Sequence, residues 1–476
     1  MVGCTHPTEP LRWNDPSSLI FQTKFRQQTS CAVTHRPTTK ATPNSPTASH
    51  PDRHGPGLWL ALRDVRQTTL QLVQGLAPED TVVQSMADVS PSKWHLAHTT
   101  WFFEQFVLGR DPSYRPLHPN WMVLFNSYYQ SAGPMHARAA RGLLSRPTLA
   151  EIIGYRQQVD ERLAALLARG SVDAELAAIL TLGLHHEQQH QELILTDIKH
   201  VFSINPLRPA LLPPVLSRRP PQAPIGARVN RPQRWLDGSP GVVQIGHQGS
   251  GFAFDCETPR HAVLLHPHRV AARPVSNVDY QQFIADGGYR DHRLWMAEGW
   301  DQVQRQAWLH PLYWSDDGQS EFSLRGDIDL QPDAPVCHVS FFEADAFARW
   351  AGARLPREEE WEHLAEPQAV QGNFQEQGHW HPQPATPDAS SDSGAAGQWF
   401  GDVWEWTSSP YVNYPGFRPL PGALGEYNGK FMCGQWVLRG GSCVSPQSHL
   451  RASYRNFFYP ADRWQFSGIR LAEDAA

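Results

Sequence analysis

His186 and His190 stand four residues apart in the run His185-His186-Glu187-Gln188-Gln189-His190. On a helix, that spacing puts two imidazoles on one face, one turn apart. Two imidazoles so placed can grip a single metal ion. A second histidine-bearing run, Trp94-His95-Leu96-Ala97-His98, also reads as helical and offers His98 as a third ligand. Three neutral imidazoles leave positions open on a first-row metal, and open positions are where small molecules react. The competing reading is a set of hydrogen-bonded core histidines, since a buried imidazole is costly unless its nitrogens are satisfied. The string His186-Glu187-Gln188-Gln189-His190 also satisfies HExxH, which makes Glu187 the general base of a zinc hydrolase. Against that, no ligand follows downstream at the usual spacing, and the best third histidine lies upstream.

Other residue types cluster around this chemistry. Gln189 lies beside the ligand face of its helix and is placed to touch a bound substrate. Tyr128 and Tyr129 are neighbours in a long excursion between helices. Near an oxygen-handling metal, a phenol donates a proton, or a proton with an electron. Elsewhere such a pair simply packs. Arg138 and Arg141, at i and i+3, form either a solvated face or a fork for a substrate carboxylate. In the C-terminal part, Tyr411, Tyr414, Asn456, Phe457 and Phe458 accompany the strings Gly401-Asp402-Val403-Trp404-Glu405-Trp406-Thr407 and Leu438-Arg439-Gly440-Gly441-Ser442. The tryptophans read as core and the glycines as tight turns. Tyr414 and Asn456 are less easily explained by packing.

The elements that must position these groups fall into two kinds. Residues 1–56 are rich in Pro, Thr and Ser and read as a disordered or loosely packed extension. Residues 57–203 carry helical periodicity in four segments: from Leu58 to about Leu76, from Ser90-Pro91 through Gln105, from Leu149 to Arg169, and from Asp173 to Phe202. Ser90-Pro91 reads as an N-cap followed by proline at the first helical position. Histidines on inward faces of such helices fit a four-helix bundle with a metal at one end. The Gly109–Gly142 excursion is of a length usually reserved for function. Residues 204–234 are a Pro/Arg-rich linker, and residues 235–476 read as an irregular α+β domain of short strands. Only Phe341–Ala351 and Arg357–Ala365 look helical there.

The bulk composition narrows the function class. A chain of 476 residues with net charge -6 is large enough for two or three domains, and it lacks the basic surface of a nucleic-acid binder. The six cysteines are scattered with no CxxC pair, which fits reduced cytosolic thiols rather than a disulfide framework. No apolar run reaches membrane-spanning length and no secretory h-region opens the chain, so a cytoplasmic protein without membrane or nucleic-acid partners is expected. Oligomeric state is not readable from these features.

The C-terminal strings resemble the formylglycine-generating-enzyme, or sulfatase-modifying-factor, domain, which has a C-type-lectin-like fold. The helical half resembles the DinB-like bundle. The motifs WHLAH, HEQQH, GDVWEWT and LRGGS, in this order and over roughly residues 57–473, resemble the ergothioneine-biosynthesis sulfoxide synthases, the EgtB family. The resemblance implies a non-haem iron(II) oxidoreductase. It would use O2 to join a thiol sulfur to C2 of the imidazole of hercynine (Nα-trimethylhistidine), giving a sulfoxide. The family's iron ligands fall on His98, His186 and His190. Its hercynine contacts fall on Gln189, Tyr414 and Asn456, with Phe457 beside them, and its paired arginines for the thiol fall on Arg138 and Arg141. A quaternary ammonium prefers aromatic and amide surroundings to a salt bridge, which agrees with that set.

Two departures set expectations. Phe458 stands where members using γ-glutamylcysteine carry Asp, and a phenyl ring cannot accept hydrogen bonds from a γ-glutamyl amine. Free cysteine is therefore the expected thiol, as in the branch whose tyrosine pair matches Tyr128-Tyr129. Tyr129 and Tyr128 are the expected active-site phenols, with Tyr411 in reserve. Within the class, the alternatives are a γ-glutamylcysteine-using enzyme, an ovothiol-type synthase joining histidine and cysteine, and a selenoneine synthase. Outside it stand the HExxH zinc hydrolase and a non-catalytic lectin-like binding protein.

Overall fold

The computed structural model describes residues 56–169, 172–213, 233–385 and 397–475. The expected N-terminal extension, except for its last residue, and the middle of the expected linker lie outside the described residues. In chain order the helical half consists of α1 (Pro56–Val73), α2 (Ser92–Phe106), the short α3 (Trp121–Phe125), α4 (Leu149–Ala168) and α5 (Ala174–Ile204). Local chemistry starts two of them. Thr148 and Glu151 form a reciprocal capping box at α4. At α5, the Asp173 carboxylate accepts the Leu176 N–H at 2.6 Å. At α2 the expected cap shifts by one residue. Pro91 occupies the cap position and Ser92 opens the helix, because the Ser90 amide is drawn to the Asp197 carboxylate at 2.7 Å.

α1 packs on α5, and α2 packs on both α4 and α5. The core between them includes Leu58, Leu62, Leu96, Phe102, Phe103, Ile152, Val159, Leu180, Ile194 and Leu195. α2 is buried continuously from Ser92 to Glu104, so each of its polar groups needs a partner. Lys93 donates to the carbonyls of Leu144 and Ser145. Glu104 accepts from the hydroxyls of Tyr114 and Tyr155 and from the Leu117 amide.

The second half begins with β1 (Trp235–Gly238), β2 (Gly241–Ile245), β3 (His261–Leu265) and β4 (His268–Ala271). Next come α6 (Asn277–Ala285), α7 (Ala297–Gln306), β5 (Ser320–Ser323), β6 (Gly326–Asp329), α8 (Phe341–Trp350) and α9 (Glu358–Ala365). It ends with β7 (Gly372–Asn373), β8 (Phe400–Gly401), β9 (Trp404–Pro410), β10 (Trp436–Arg439), β11 (Asn456–Phe458), β12 (Ser467–Gly468) and β13 (Ala472–Asp474). α8 and α9 match the two expected helices. α6 and α7 correct the expectation that there were no others. α6 buries Asn277, Tyr280 and Phe283 and is only weakly amphipathic, whereas α7 buries Gly299 and Val303 and is amphipathic but short and strongly polar, so no apolar run marks it.

The largest sheet runs β11-β10-β9-β12, antiparallel except for the β9-β12 pair. A second sheet runs β1-β4-β13. Trp361, Trp404 and Trp406 are fully buried around the large sheet. The turn after β10 requires glycine: Gly440 has φ +99°, and a Cβ there would meet the Trp399 carbonyl oxygen at 2.8 Å.

α5 is the shared spine of the molecule, and its three faces do different work. His186, His190 and Asp197 meet α2. Glu187 and Gln191 meet α1, and Glu187 also meets α4. His185, Gln188, Gln189, Glu192 and Lys199 bond to the second half, through His449, Ser448, Tyr454, Trp404 and His338 respectively. Among the described residues no helix is long and apolar enough to cross a membrane. Cys256, Cys337, Cys433 and Cys443 are free thiols.

Candidate metal centre and substrate site

His98 from α2 and His186 and His190 from α5 converge in a buried group. One ligand-capable atom of each lies within 4.8 Å of the others. The outward nitrogens show which atoms are left for a metal. His98 Nδ1 lies 2.6 Å from the Phe125 carbonyl oxygen and must donate to it, which leaves the Nε2 lone pair facing inward. His95 Nε2 lies 3.0 Å from the Asp197 carboxylate, and its Nδ1 lies 2.8 Å from His190 Nδ1. With His95 donating to Asp197, His190 donates its Nδ1 hydrogen to His95 and keeps its Nε2 lone pair. His98 Nε2 and His186 Nε2 sit 3.1 Å apart. Burial pushes the His186 imidazole down to about 3 and those of His98 and His190 well below the usual histidine range. All three are therefore neutral at pH 7, the state a metal ligand requires. Outward-facing hydrogen bonds that fix ring orientation are the usual second layer of a metal site. The donor set fits a first-row metal.

Glu187, the general base of the hydrolase reading, points elsewhere. It ion-pairs with Arg66, at 2.8 Å, and with Arg156, and it accepts the Thr69 hydroxyl at 2.7 Å. Burial would raise its carboxyl, but Arg156 and Arg66 hold it below the usual range. An HExxH base next to the metal is thereby lost.

The remaining expected residues are distributed unevenly. Gln189 sits on α5 beside the histidines, its amide nitrogen 2.7 Å from the Tyr454 hydroxyl and its amide oxygen bonded by the Tyr427 hydroxyl. Tyr129 is fully buried against Phe102, Trp101 and Phe106. Its hydroxyl makes no hydrogen bond of normal geometry among the described residues. Phe102 in turn packs on His186 with ring centroids 4.7 Å apart. Tyr128 lies tilted against Tyr129, ring centroids 4.6 Å apart. Arg141 is buried over Trp94 at 3.4 Å, and bonds Ser90 and Ser127 at 2.9 and 3.0 Å. Arg138 is exposed and caps the Asp88 carbonyl, so the two arginines do not form a parallel fork.

Phe457 stacks between Tyr411 at 4.1 Å and Phe431 at 5.9 Å. Phe458 projects from the other face of β11 onto Trp464 at 5.8 Å. The Trp464 indole N–H reaches the same Asp197 carboxylate that holds His95, at 3.3 Å. Asn456 pairs with Leu438 in the sheet. Tyr414 lies in a separate ion network, its hydroxyl between Glu358 and Arg439 at 3.3 and 3.1 Å, with the Arg455 guanidinium over its ring.

Tyr427 was not singled out from sequence. Its ring meets a candidate ligand, 5.6 Å from His186. It lies in a Gly-rich stretch without periodicity, Gly422 to Gly429, and no local pattern marks it.

Family models match both halves: the DinB superfamily over residues 61–194 and the sulfatase-modifying factor enzyme 1-like domain over residues 236–475. The chain is 35% identical to the hercynine oxygenase of Mycolicibacterium thermoresistibile over 446 residues, 87% of this chain and 94% of the relative. It is 33% identical to the hercynine oxygenase of Mycobacterium tuberculosis over 407 residues, 81% of this chain and 91% of that one. The chain belongs to the hercynine oxygenase family. As a member of that family it is an oxidoreductase, which retires the non-catalytic lectin-like reading. The formylglycine-generating enzyme of Streptomyces coelicolor is 30% identical over 286 residues, 48% of this chain and 84% of that protein. That likeness is confined to part of the chain, whereas the hercynine oxygenases match across both halves.

Proposed function

We propose that this protein is a non-haem iron(II), O2-dependent sulfoxide synthase of ergothioneine biosynthesis. It joins the sulfur of cysteine to C2 of the hercynine imidazole and yields hercynylcysteine sulfoxide. Hercynine C–H, cysteine S–H and O2 become the sulfoxide and water, with one oxygen atom on sulfur and the other in water. The observation that carries the reading is the convergence of His98, His186 and His190 within 4.8 Å in a buried group, in a chain of this family. Those three side chains would hold the iron. Fe(II) there supplies open positions for O2 and substrate heteroatoms.

The remaining roles follow from chemistry. Gln189, Tyr414, Asn456 and Phe457 are the hercynine contacts of this reading, with aromatic and amide groups suited to a quaternary ammonium. Of these, Gln189 adjoins the histidine group along α5, while Tyr414 acts from within its Glu358–Arg439 network. Arg141, with Arg138 at the exposed margin, binds the cysteine carboxylate. Tyr129 or Tyr128 holds the proton delivered to reduced oxygen. Burial keeps both phenols protonated at neutral pH, well above the usual tyrosine range. Phe458 gives the thiol pocket an apolar wall, which favours cysteine over γ-glutamylcysteine.

Anaerobic reconstitution with Fe(II), followed by O2, hercynine and either thiol, tests the reading by product mass. Hercynylcysteine sulfoxide from cysteine supports it. Product only from γ-glutamylcysteine overturns the thiol assignment, and no coupled product with hercynine overturns the reading.

A further inference from the structure

We infer that Tyr427 is a positioning residue for this site: its hydroxyl holds the Gln189 amide in one orientation while its ring closes over His186. The inference rests on the proposed function and adds a residue from the second half of the chain to it.

The geometry is specific. Tyr427 is buried, stacked nearly parallel on Phe254 at 5.4 Å, and edge-on to both His186 at 5.6 Å and Tyr128 at 6.1 Å. Its hydroxyl donates to Gln189 Oε1. On the other side, Gln189 Nε2 donates to the Tyr454 hydroxyl at 2.7 Å, and that hydroxyl lies 2.9 Å from His449 Nε2. His449 Nδ1 lies 3.0 Å from His185 Nδ1, back on α5. The bonds thus form a continuous relay from Tyr427 through Gln189 and Tyr454 to His449. A flipped Gln189 would present its NH2 to Tyr427. The Tyr454–His449 bond could reverse with the His449 tautomer, but the Tyr427 hydroxyl hydrogen would lose its Gln189 Oε1 acceptor. Buried polar groups resist that loss. The Tyr427 hydroxyl therefore specifies which end of the amide lies on the histidine side.

The turn that carries Tyr427 is itself tied to the tyrosine loop. Glu426 accepts the amides of Gln130 and Ser131 at 2.8 and 2.9 Å, and Lys430 donates to the Tyr128 carbonyl. A substrate seated between Gln189 and the histidines would thus meet an amide whose orientation the second half sets.

The test is Tyr427→Phe, which keeps the ring and removes the hydrogen bond. We expect KM for hercynine to rise about five- to tenfold, the scale of one hydrogen bond, with KM for cysteine, iron stoichiometry and Tm near wild type. Hercynine binding to the anaerobic Fe(II) protein, followed calorimetrically, should weaken by the same factor. In a double-mutant cycle with Gln189→Leu, the two losses should not add. Unchanged hercynine KM and binding in Tyr427→Phe overturn the inference, as does a lowered Tm with unchanged kinetics. If the wild-type protein itself neither binds nor turns over hercynine, the proposed function fails and the inference falls with it.

Discussion

His190 donates its Nδ1 hydrogen to His95 Nδ1, 2.8 Å away, because His95 commits its own hydrogen to Asp197. A carboxylate two side chains removed thereby decides which nitrogen of His190 faces the candidate metal. Asp197→Asn removes that control, since an amide can donate to His95 Nε2 and reverse its tautomer. Fe(II) affinity, measured by chelator competition, should fall about 10- to 100-fold. Direct loss of His98, His186 or His190 to Ala should abolish stoichiometric iron. Wild-type affinity in Asp197→Asn would show that the tautomer is set elsewhere.

Glu187→Gln separates a structural role from a hydrolytic one. The substitution leaves Arg66 and Arg156 facing each other across a buried site without their shared carboxylate. Breaking one side of a buried ion network costs about 3–5 kcal/mol. Denaturant unfolding should show that loss, while the specific activity of the folded fraction stays near wild type. A variant as stable as wild type but inactive would restore a chemical role for Glu187.

Tyr129→Phe removes a buried hydroxyl that, among the described residues, has no hydrogen-bond partner of normal geometry, so its structural cost should be small. The expected change is in outcome: turnover diverts from sulfoxide formation toward oxidation of cysteine itself, read as the product ratio by mass spectrometry. An unchanged ratio in Tyr129→Phe together with a diverted one in Tyr128→Phe would transfer the role to Tyr128.

Phe458→Asp places a carboxylate next to Trp464, on the face of β11 opposite Phe457. The ratio of kcat/KM for γ-glutamylcysteine over cysteine should rise at least about tenfold, one charge-assisted hydrogen bond. A constant ratio would locate the thiol pocket away from Phe458.

Stability should carry a pH signature from Glu362. Burial pushes its carboxyl up from 4.5 to about 7, even with Arg439 at 3.0 Å. Between about pH 4.5 and about pH 7 the folded state keeps a proton that the unfolded chain has released. This group therefore makes the protein less stable as pH rises through that window, by at most about 1.4 kcal/mol per unit. Glu362→Gln should flatten that part of the Tm profile. Superimposable profiles would mean that Arg439 keeps the carboxylate ionised.

Local sequence determined what depends on local geometry. The i, i+4 spacing puts His186 and His190 on one face, Thr148 and Asp173 start their helices, and glycines at the β10 turn admit a left-handed backbone. The motif strings carried the family. Tertiary structure decided what depends on contacts between distant segments. His98 meets the α5 histidines from 88 residues away, and Glu187, adjacent to a ligand in sequence, is turned a helical step away toward Arg66 and Arg156. α6 is too weakly amphipathic, and α7 too short and polar, to stand out from the loops around them. Tyr427 reaches Gln189 across 238 residues from a turn with no periodicity. Spacing along a chain selects the face a side chain occupies. Which partner waits at that face is set only when the remote segments pack.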